Sequence, residues 1–211
     1  SIKFYENELL NSIQKFHDLY HAFFSLLIEL RQYAEQKTEL RKNKLLPTSE
    51  ERNPNMRFIQ NRIINDLERI DAVTKFHSNR NIGWKNYPEI IKLVYNTLVA
   101  SDVYQDYMNN PSESYSNDKQ IIYYIFEQIL PDNDEVYQVL EELSIFWNDD
   151  IELVLTMNIR TIQRMKEMRG SENKMFPLYK TEDDLEYIKK LFRRTILNHE
   201  RNYKIITDLS S

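Results

Sequence analysis

Cysteine is absent, and glycine occurs twice in 211 residues, at Gly83 and Gly170. Without cysteine there are no disulfides, no thiol nucleophile and no thiolate metal ligands. Two glycines, where a background of about 7 per cent is usual, cannot build the clustered turns of a dinucleotide or P-loop phosphate cradle. Nor can they supply the positive-φ turns of a hairpin-rich sheet, so an all-helical fold is expected. No apolar run approaches the roughly 20 residues needed to span a bilayer, and no signal-peptide pattern precedes the first helical segment. The chain therefore reads as soluble and cytoplasmic, with no membrane partner. Neither sign of charge dominates: the net charge is −5 with 29% charged residues, a solvated surface rather than the basic excess of a dedicated nucleic-acid-binding domain. The sequence opens at Ser1 and Ile2 and is helix-like almost at once, so it reads as a piece of a longer protein.

What is present is helical periodicity. From about Tyr5 to Asn43, apolar residues recur at Leu9, Ile13, Phe16, Tyr20, Phe23, Leu27, Leu30 and Ala34, in steps that alternate between four and three. That is a heptad-like seam on one long first helix. Pro47 and Pro54 make residues 44–56 a loop. A second helix is expected from about Arg57 to Phe76, burying Ile59, Ile63, Leu67 and Ile70. After a break at 78–83, a third runs from Pro88, a first-turn proline, to about Met108, with Ile91, Val94, Leu98 and Tyr104 inward. Residues 109–117 form a loop, and a fourth helix spans Asp118 to Leu130. A fifth starts at Asp132, whose spacing to Glu135 suits a capping box, and buries Val136, Leu140, Leu143 and Trp147. The sixth runs from about Asn148 to Met168 on Ile151, Leu155, Ile159 and Ile162, and Gly170 stops it. The last, from about Thr181 to Leu209, aligns Leu185, Ile188, Phe192, Ile196, His199, Tyr203 and Ile206. The expectation is an all-α bundle of about seven amphipathic helices with a long first helix.

Chemistry-bearing clusters mostly have structural readings. His17, Asp18 and His21 place two imidazoles one turn apart with an acid between, as on a zincin helix, but Asp stands where Glu is usual and nothing nominates a third ligand. A di-metal carboxylate bundle would need paired Glu-x-x-His motifs, which are missing. Asp149, Asp150 and Glu152 after Asn148, and Glu182, Asp183 and Asp184 after Thr181, read as caps and acidic first turns favoured by the helix dipole. A serine nucleophile lacks its glycine-supported turn, and His199 reads as a partly buried structural imidazole. No enzyme activity, cofactor, metal or small-molecule substrate is therefore expected. Two basic groups remain. Arg31, Lys37, Arg41, Lys42 and Lys44 gather near the end of the first helix, where cations suit the dipole. Lys189, Lys190, Arg193 and Arg194 form two adjacent columns on the last helix that could track a phosphate backbone, diluted by Glu186 and Glu200. The 14 tyrosines, Tyr104, Tyr107, Tyr115, Tyr123 and Tyr124 among them, are first candidates for packing, though tyrosines can also stack bases or anchor a protein interface.

Four segments carry a resemblance. They are Leu10-Asn11-Ser12-Ile13-Gln14-Lys15-Phe16-His17-Asp18-Leu19-Tyr20-His21; Lys42-Asn43-Lys44-Leu45-Leu46-Pro47-Thr48 with Asn53-Pro54-Asn55-Met56-Arg57-Phe58; Ser144-Ile145-Phe146-Trp147-Asn148-Asp149-Asp150; and Lys190-Leu191-Phe192-Arg193-Arg194-Thr195-Ile196-Leu197-Asn198. Spread over most of the chain, they resemble the central region of the long NusB-type transcription antitermination proteins of Bacteroidetes-like bacteria. The resemblance implies an all-helical protein that works with ribosomal protein NusE to bind the boxA element of nascent RNA and joins an antitermination complex on RNA polymerase. It also implies two parts. Residues 1–184 resemble the insertion that makes the long form long, and 185–211 the helix shared with short members. The family's arginine-rich N-terminal segment and second helical bundle have no counterpart here, so its RNA-binding motif maps onto no residue of this chain. The alternative is a helical protein-protein interaction module without RNA-binding activity.

Overall fold

The computed structural model describes residues 2–79, 83–143, 151–167, 178, 179, 186, 190, 193, 194 and 197–205. These residues form two compact units, one of residues 1–17 with 178–211 and a larger one of 18–177. The boundary between 184 and 185 expected from the sequence lies outside the described residues.

Among the described residues there are helices and no strands, as glycine scarcity implied, but ten helices rather than about seven. They are α1 (Ile2–Lys42), α2 (Ser49–Arg52), α3 (Arg62–Glu68), α4 (Asp71–Ser78), α5 (Pro88–Ala100), α6 (Asp102–Asn109), α7 (Tyr115–Tyr124), α8 (Asp134–Leu143), α9 (Ile151–Arg164) and α10 (197–205). A 3-10 turn covers Trp84–Asn86, and a π-helical turn, Ile125–Ile129, continues α7. The surplus comes from caps inside segments that look continuous by periodicity. The expected Arg57–Phe76 helix is two helices, because the Asn61 side chain accepts from the backbone N–H groups of Ile63 and Ile64 and starts α3 only there. Pro88–Met108 also divides, since Ser101 turns extended and caps Tyr104 N–H to begin α6. The 44–56 loop contains α2, opened by a reciprocal capping box between Thr48 and Glu51. At α8 the cap is Asn133, whose Oδ1 accepts from Val136 N–H at 3.2 Å, and not the expected Asp132. The Ser114 hydroxyl starts α7 three residues earlier than expected.

The larger unit is organised around α1. From Leu19 to Leu30 nearly every side chain is buried, including Tyr20, Phe23, Phe24, Leu26, Leu27 and Ile28. A helix apolar on all sides is a core helix rather than a surface one. Ile63, Ile64, Leu67, Val94, Leu98, Ile122, Ile125, Phe126, Val154 and Ile162 pack as the shell around that core, all essentially inaccessible. Polar ties fix the layers. The Tyr20 hydroxyl pairs with Thr161 Oγ1 at 2.6 Å, and Asn158 Nδ2 donates to Tyr20 O at 2.9 Å, fastening α9 to α1. Lys119 caps the carboxyl end of α9, donating to Gln163 O at 2.9 Å and Met165 O at 2.6 Å, where the dipole favours a cation.

A second polar lock joins α3, α6 and α7. Asp118 is 5% exposed and accepts from Arg62 Nε at 2.8 Å and the Tyr107 hydroxyl at 3.0 Å. Asn61 Nδ2 donates to Tyr107 Oη at 3.2 Å and to Asp118 O at 3.1 Å. Arg57 stacks over the Tyr107 ring and donates to Asn110 O and Ser112 O, while Tyr115 donates to Asp66 Oδ2 at 3.0 Å. Tyrosines 104, 107 and 115 thus pack and bond within the fold, as their helical spacing suggested. Burial, reinforced for Tyr107 and Tyr115 by Asp118 and Asp66, holds all three phenols well above their ordinary value.

Candidate functional site

The Asn61 and Arg57 ties hold residues 53–60 against α6, and the Lys44–Glu51 ion pair ties α2 to the segment that follows α1. Between these elements and α5 lies a groove of about 910 Å³. Its α1 wall is made by Ala34, Lys37, Thr38 and Arg41, and Tyr33 stands one turn before Lys37 on the same helical column. The Lys37 ammonium sits 5.5 Å from the Tyr33 ring centre and 5.6 Å from that of Tyr95. The two rings meet edge to face at 5.1 Å. Deeper in, Tyr104 packs edge to face on Phe58 at 5.8 Å, and its hydroxyl pairs with that of Tyr95. Burial raises the Tyr95 phenol, and the Arg41 charge opposes that rise.

Charge in the groove is uneven. Lys44 hydrogen-bonds Glu51 and, with the Thr48 N–H, holds that carboxyl below its ordinary value. Lys42 pairs with Glu39 at 3.4 Å, and Arg31 is taken up by Glu68. Among the described residues, no carboxylate oxygen lies within 4 Å of Lys37 or Arg41. Of the basic group read from the sequence at the end of the first helix, Lys37 and Arg41 line the groove together with Glu50 and Glu51, and the Arg41 charge helps to hold the Glu51 carboxyl low.

The basic strip expected on the last helix is placed only in part. Lys190, Arg193 and Arg194 are helical and exposed; Lys189 lies outside the described residues. Lys190 is 3.8 Å from Glu186 and Arg193 is 3.2 Å from Glu6, so part of the positive charge is answered locally. His199 is exposed, which corrects its expected place on a buried seam; Leu197 and Tyr203 beside it are 64% and 65% exposed. Asn148, Asp149, Asp150, Gly170, and the run Thr181 to Asp184 lie outside the described residues, while Glu152 stands in the first turn of α9.

His17 is buried, and His21 stacks on Phe76 at 5.7 Å. Among the described residues no group of three or more His, Cys, Asp or Glu side chains is placed to hold a metal ion.

Sequence reasoning missed one histidine pairing. His77 Nδ1 lies 2.8 Å from Ser25 Oγ, and its Nε2 lies 3.8 Å from Glu29 Oε1. Ser25 is 1% exposed, in mid-helix, so a substrate has no approach to it and the trio is a buried tie between α4 and α1. Burial holds the His77 imidazole below its ordinary value, helped by the Lys85 and Arg31 charges. Burial raises Glu29, with Lys85 opposing. The consequences for stability have opposite signs. Below about 6.5 the unfolded chain takes a proton at His77 that the folded chain refuses, so stability is lost as pH falls through that window. Glu29 contributes stability that is present below its unfolded value and fades as pH rises through the folded one. Urea midpoints are therefore expected to drop between pH 7 and 5 in the wild type. The drop is expected to be smaller in His77→Gln, which keeps hydrogen-bonding capacity but cannot titrate. An equal drop in both would show that His77 does not couple to folding.

No family model, curated protein or solved structure matches this chain.

Proposed function

We propose that the chain is part of a long-form NusB-like transcription antitermination factor, a cytoplasmic, non-enzymatic protein that binds boxA-type RNA together with ribosomal protein NusE and joins the antitermination complex on RNA polymerase. The four resembling segments, distributed from Leu10 to Asn198, carry the reading. Two further observations support it. The chain is all-helical among its described residues. On the helix that resembles the short members, Leu197, Tyr203 and Ile205 are 49–65% exposed, apolar surface of the kind that another helical layer covers. In this reading Lys189, Lys190, Arg193 and Arg194 contribute to the RNA-facing surface. Fluorescence anisotropy with a boxA-containing RNA, in the presence and absence of NusE, tests it. Tighter binding to boxA than to a scrambled sequence is expected when NusE is present, and equal binding to both would overturn the reading.

A second reading, a protein-protein interaction module without RNA activity, is favoured by one observation. Leu40, Leu45 and Leu46, at the end of α1 and in the loop after it, are 73%, 101% and 87% exposed. It predicts that reversing the charge of Lys189, Arg193 and Arg194 leaves RNA affinity and its salt dependence unchanged.

A further inference from the structure

We propose that α4 is an acid-released flap on α1, hinged at its start on α3 and held at its far end by the His77 imidazole, which lifts as pH falls and bares a polar stripe of His21, Ser25, Glu29 and Gln32. The flap is independent of the RNA-binding reading and adds a switch to the larger unit.

Between Leu19 and Leu30, α1 is buried and mainly apolar. Against that background His21, Ser25, Glu29 and Gln32 follow one another in steps of four, four and three, a spacing that puts them on one face of the helix. The far end of α4 lies on this face. Phe76 stacks on His21 at 5.7 Å, and the His77 ring meets the other three. Its Nδ1 lies 2.8 Å from Ser25 Oγ, and its Nε2 lies 3.4 Å from Gln32 Nε2 and 3.8 Å from Glu29 Oε1. The apolar share of the attachment is small. Val73 is the only buried side chain of α4, while Asp71, Ala72, Thr74, Lys75 and Ser78 are exposed. A helix of eight residues has little stability of its own, so α4 stays seated through Val73, the Phe76 stack and the His77 bonds.

The two ends of α4 are held by different chemistry. Near its start, Thr74 Oγ1 donates to Glu68 O at 2.7 Å, a bond to the end of α3 in which neither group titrates. The far end depends on an imidazole, which takes up charge close to neutral pH. The ring faces Glu29 and Arg31 from α1 and Lys85 from the 3-10 turn. Arg31 is itself engaged by Glu68 of α3 and lies 4.0 Å from Glu35. On α4, Asp71 and Lys75 are exposed, and His21, the other titratable group of the stripe, faces Phe76. The His77 and Glu29 side chains are 11% and 13% exposed, so a charge on the seated ring is poorly solvated. Burial and the two cations keep the ring neutral while α4 is seated, and a proton taken up by the lifted ring holds the flap open. Glu29 acts in the opposite sense, because its buried carboxyl takes a proton more readily when α4 is seated, and this moderates the response. The rest of the shell around α1 comes from α3, α5, α7 and α9, so α4 can lift while the unit stays folded.

Hydrogen exchange on the 211-residue chain, read peptide by peptide and corrected for the intrinsic pH dependence of amide exchange, tests this. Between pH 7 and pH 5 the amides of α4 are expected to lose protection by about fivefold or more, whereas those of α9 keep theirs. His77→Gln, which cannot titrate, should abolish that change. Low α4 protection at both pH values in this variant, with α9 unaffected, would also support the flap, since it places the clip in the imidazole. Ser25→Ala removes a bond at the far end without altering a charge. It should lower α4 protection at pH 7 and preserve the pH dependence. Glu29→Gln, which lacks the opposing carboxyl, should steepen the dependence, and it decides the matter should His77→Gln fail to fold. Parallel loss of protection in α4 and α9 would mean that acid unfolds the unit as a whole and would overturn the proposal. So would α4 protection that stays constant from pH 7 to 5, or a drop of wild-type size in His77→Gln.

Discussion

Asn61→Ala is expected to lower the stability of the protein by about 2–4 kcal/mol, since the change removes an N-cap worth about 1 kcal/mol and strips buried groups of partners at about 1–3 kcal/mol each. Asn61 is fully buried, and every polar atom of its side chain is used. Its oxygen accepts from Ile63 N–H at 3.0 Å and Ile64 N–H at 3.2 Å; its amide nitrogen donates to Tyr107 Oη and to Asp118 O. The Tyr107 hydroxyl keeps Asp118 Oδ1 as an acceptor after the substitution, which holds the loss below a simple sum of four bonds. Urea denaturation should show a lower midpoint with an unchanged slope, because the surface exposed on unfolding stays the same. Asn61→Asp separates the two halves of the role. It retains the cap but replaces the donor with a second carboxylate beside Asp118, so it should be more harmful at neutral pH than in acid. Equal stability of wild type and alanine variant would mean that the lock adds nothing to folding.

The second large effect is expected at Trp84. It is 2% exposed, and its indole N–H donates to Ala22 O at 2.8 Å, so the 3-10 turn that carries it is fastened to the core stretch of α1. Trp84→Ala should cost about 3–5 kcal/mol, the usual range for emptying a buried aromatic site. That is a large part of the roughly 5–15 kcal/mol by which a domain of this kind is stable. Trp84→Phe keeps most of the volume and loses the hydrogen bond, and should cost about 1–2 kcal/mol. A pair of midpoints from thermal melts, one for each variant, measures volume and bond separately. If phenylalanine proves as damaging as alanine, the hydrogen bond or the indole shape dominates and packing volume does not.

Helicity, the long first helix and most of its partners' inward faces were legible, because they depend on periodicity and on the two-glycine composition. Ile91, Val94, Leu98 and Tyr104 are all buried, as their spacing required. The seam on α1 was read correctly at its core but too narrowly. The unbroken run from Ala22 to Ile28 is buried on every side, whereas Leu9, Ile13 and Phe16 are half-buried. A four-three rhythm picks out one face and cannot register that the remaining faces are apolar too. Helix breaks at Asn61 and Ser101 were missed because an asparagine or serine caps only when its neighbours leave the helical conformation, and that depends on tertiary partners. Asn61 is chosen by Tyr107 and Asp118, far along the chain.

The groove was half legible. Lys37 and Arg41 were visible as basic residues near a helix end. Nothing local connects them to Tyr95, Phe58 or Tyr104, which arrive through the packing of α5, of residues 53–60 and of α6. The fold also decided which of these cations form close ion pairs. Lys44 and Lys42 look equivalent to Lys37 in sequence, yet Glu51 and Glu39 claim them.

The π-helical turn after α7 has an implication for how chains of this kind change length. Leu130 N–H bonds to Ile125 O at 3.0 Å, five residues back, so the turn holds one residue more than the α-helical ladder on either side. The surplus lets Ile121, Ile125 and Ile129, and Ile122, Phe126 and Leu130, stay buried in two parallel rows where an ordinary helix would drift away by about 40° with every four residues. An insertion or deletion of a single residue would ordinarily be sought in a loop. Here it has a home inside a helix, and a homologue one residue shorter between Tyr115 and Leu130 is best aligned with its gap at 125–129 and its flanking loops left whole.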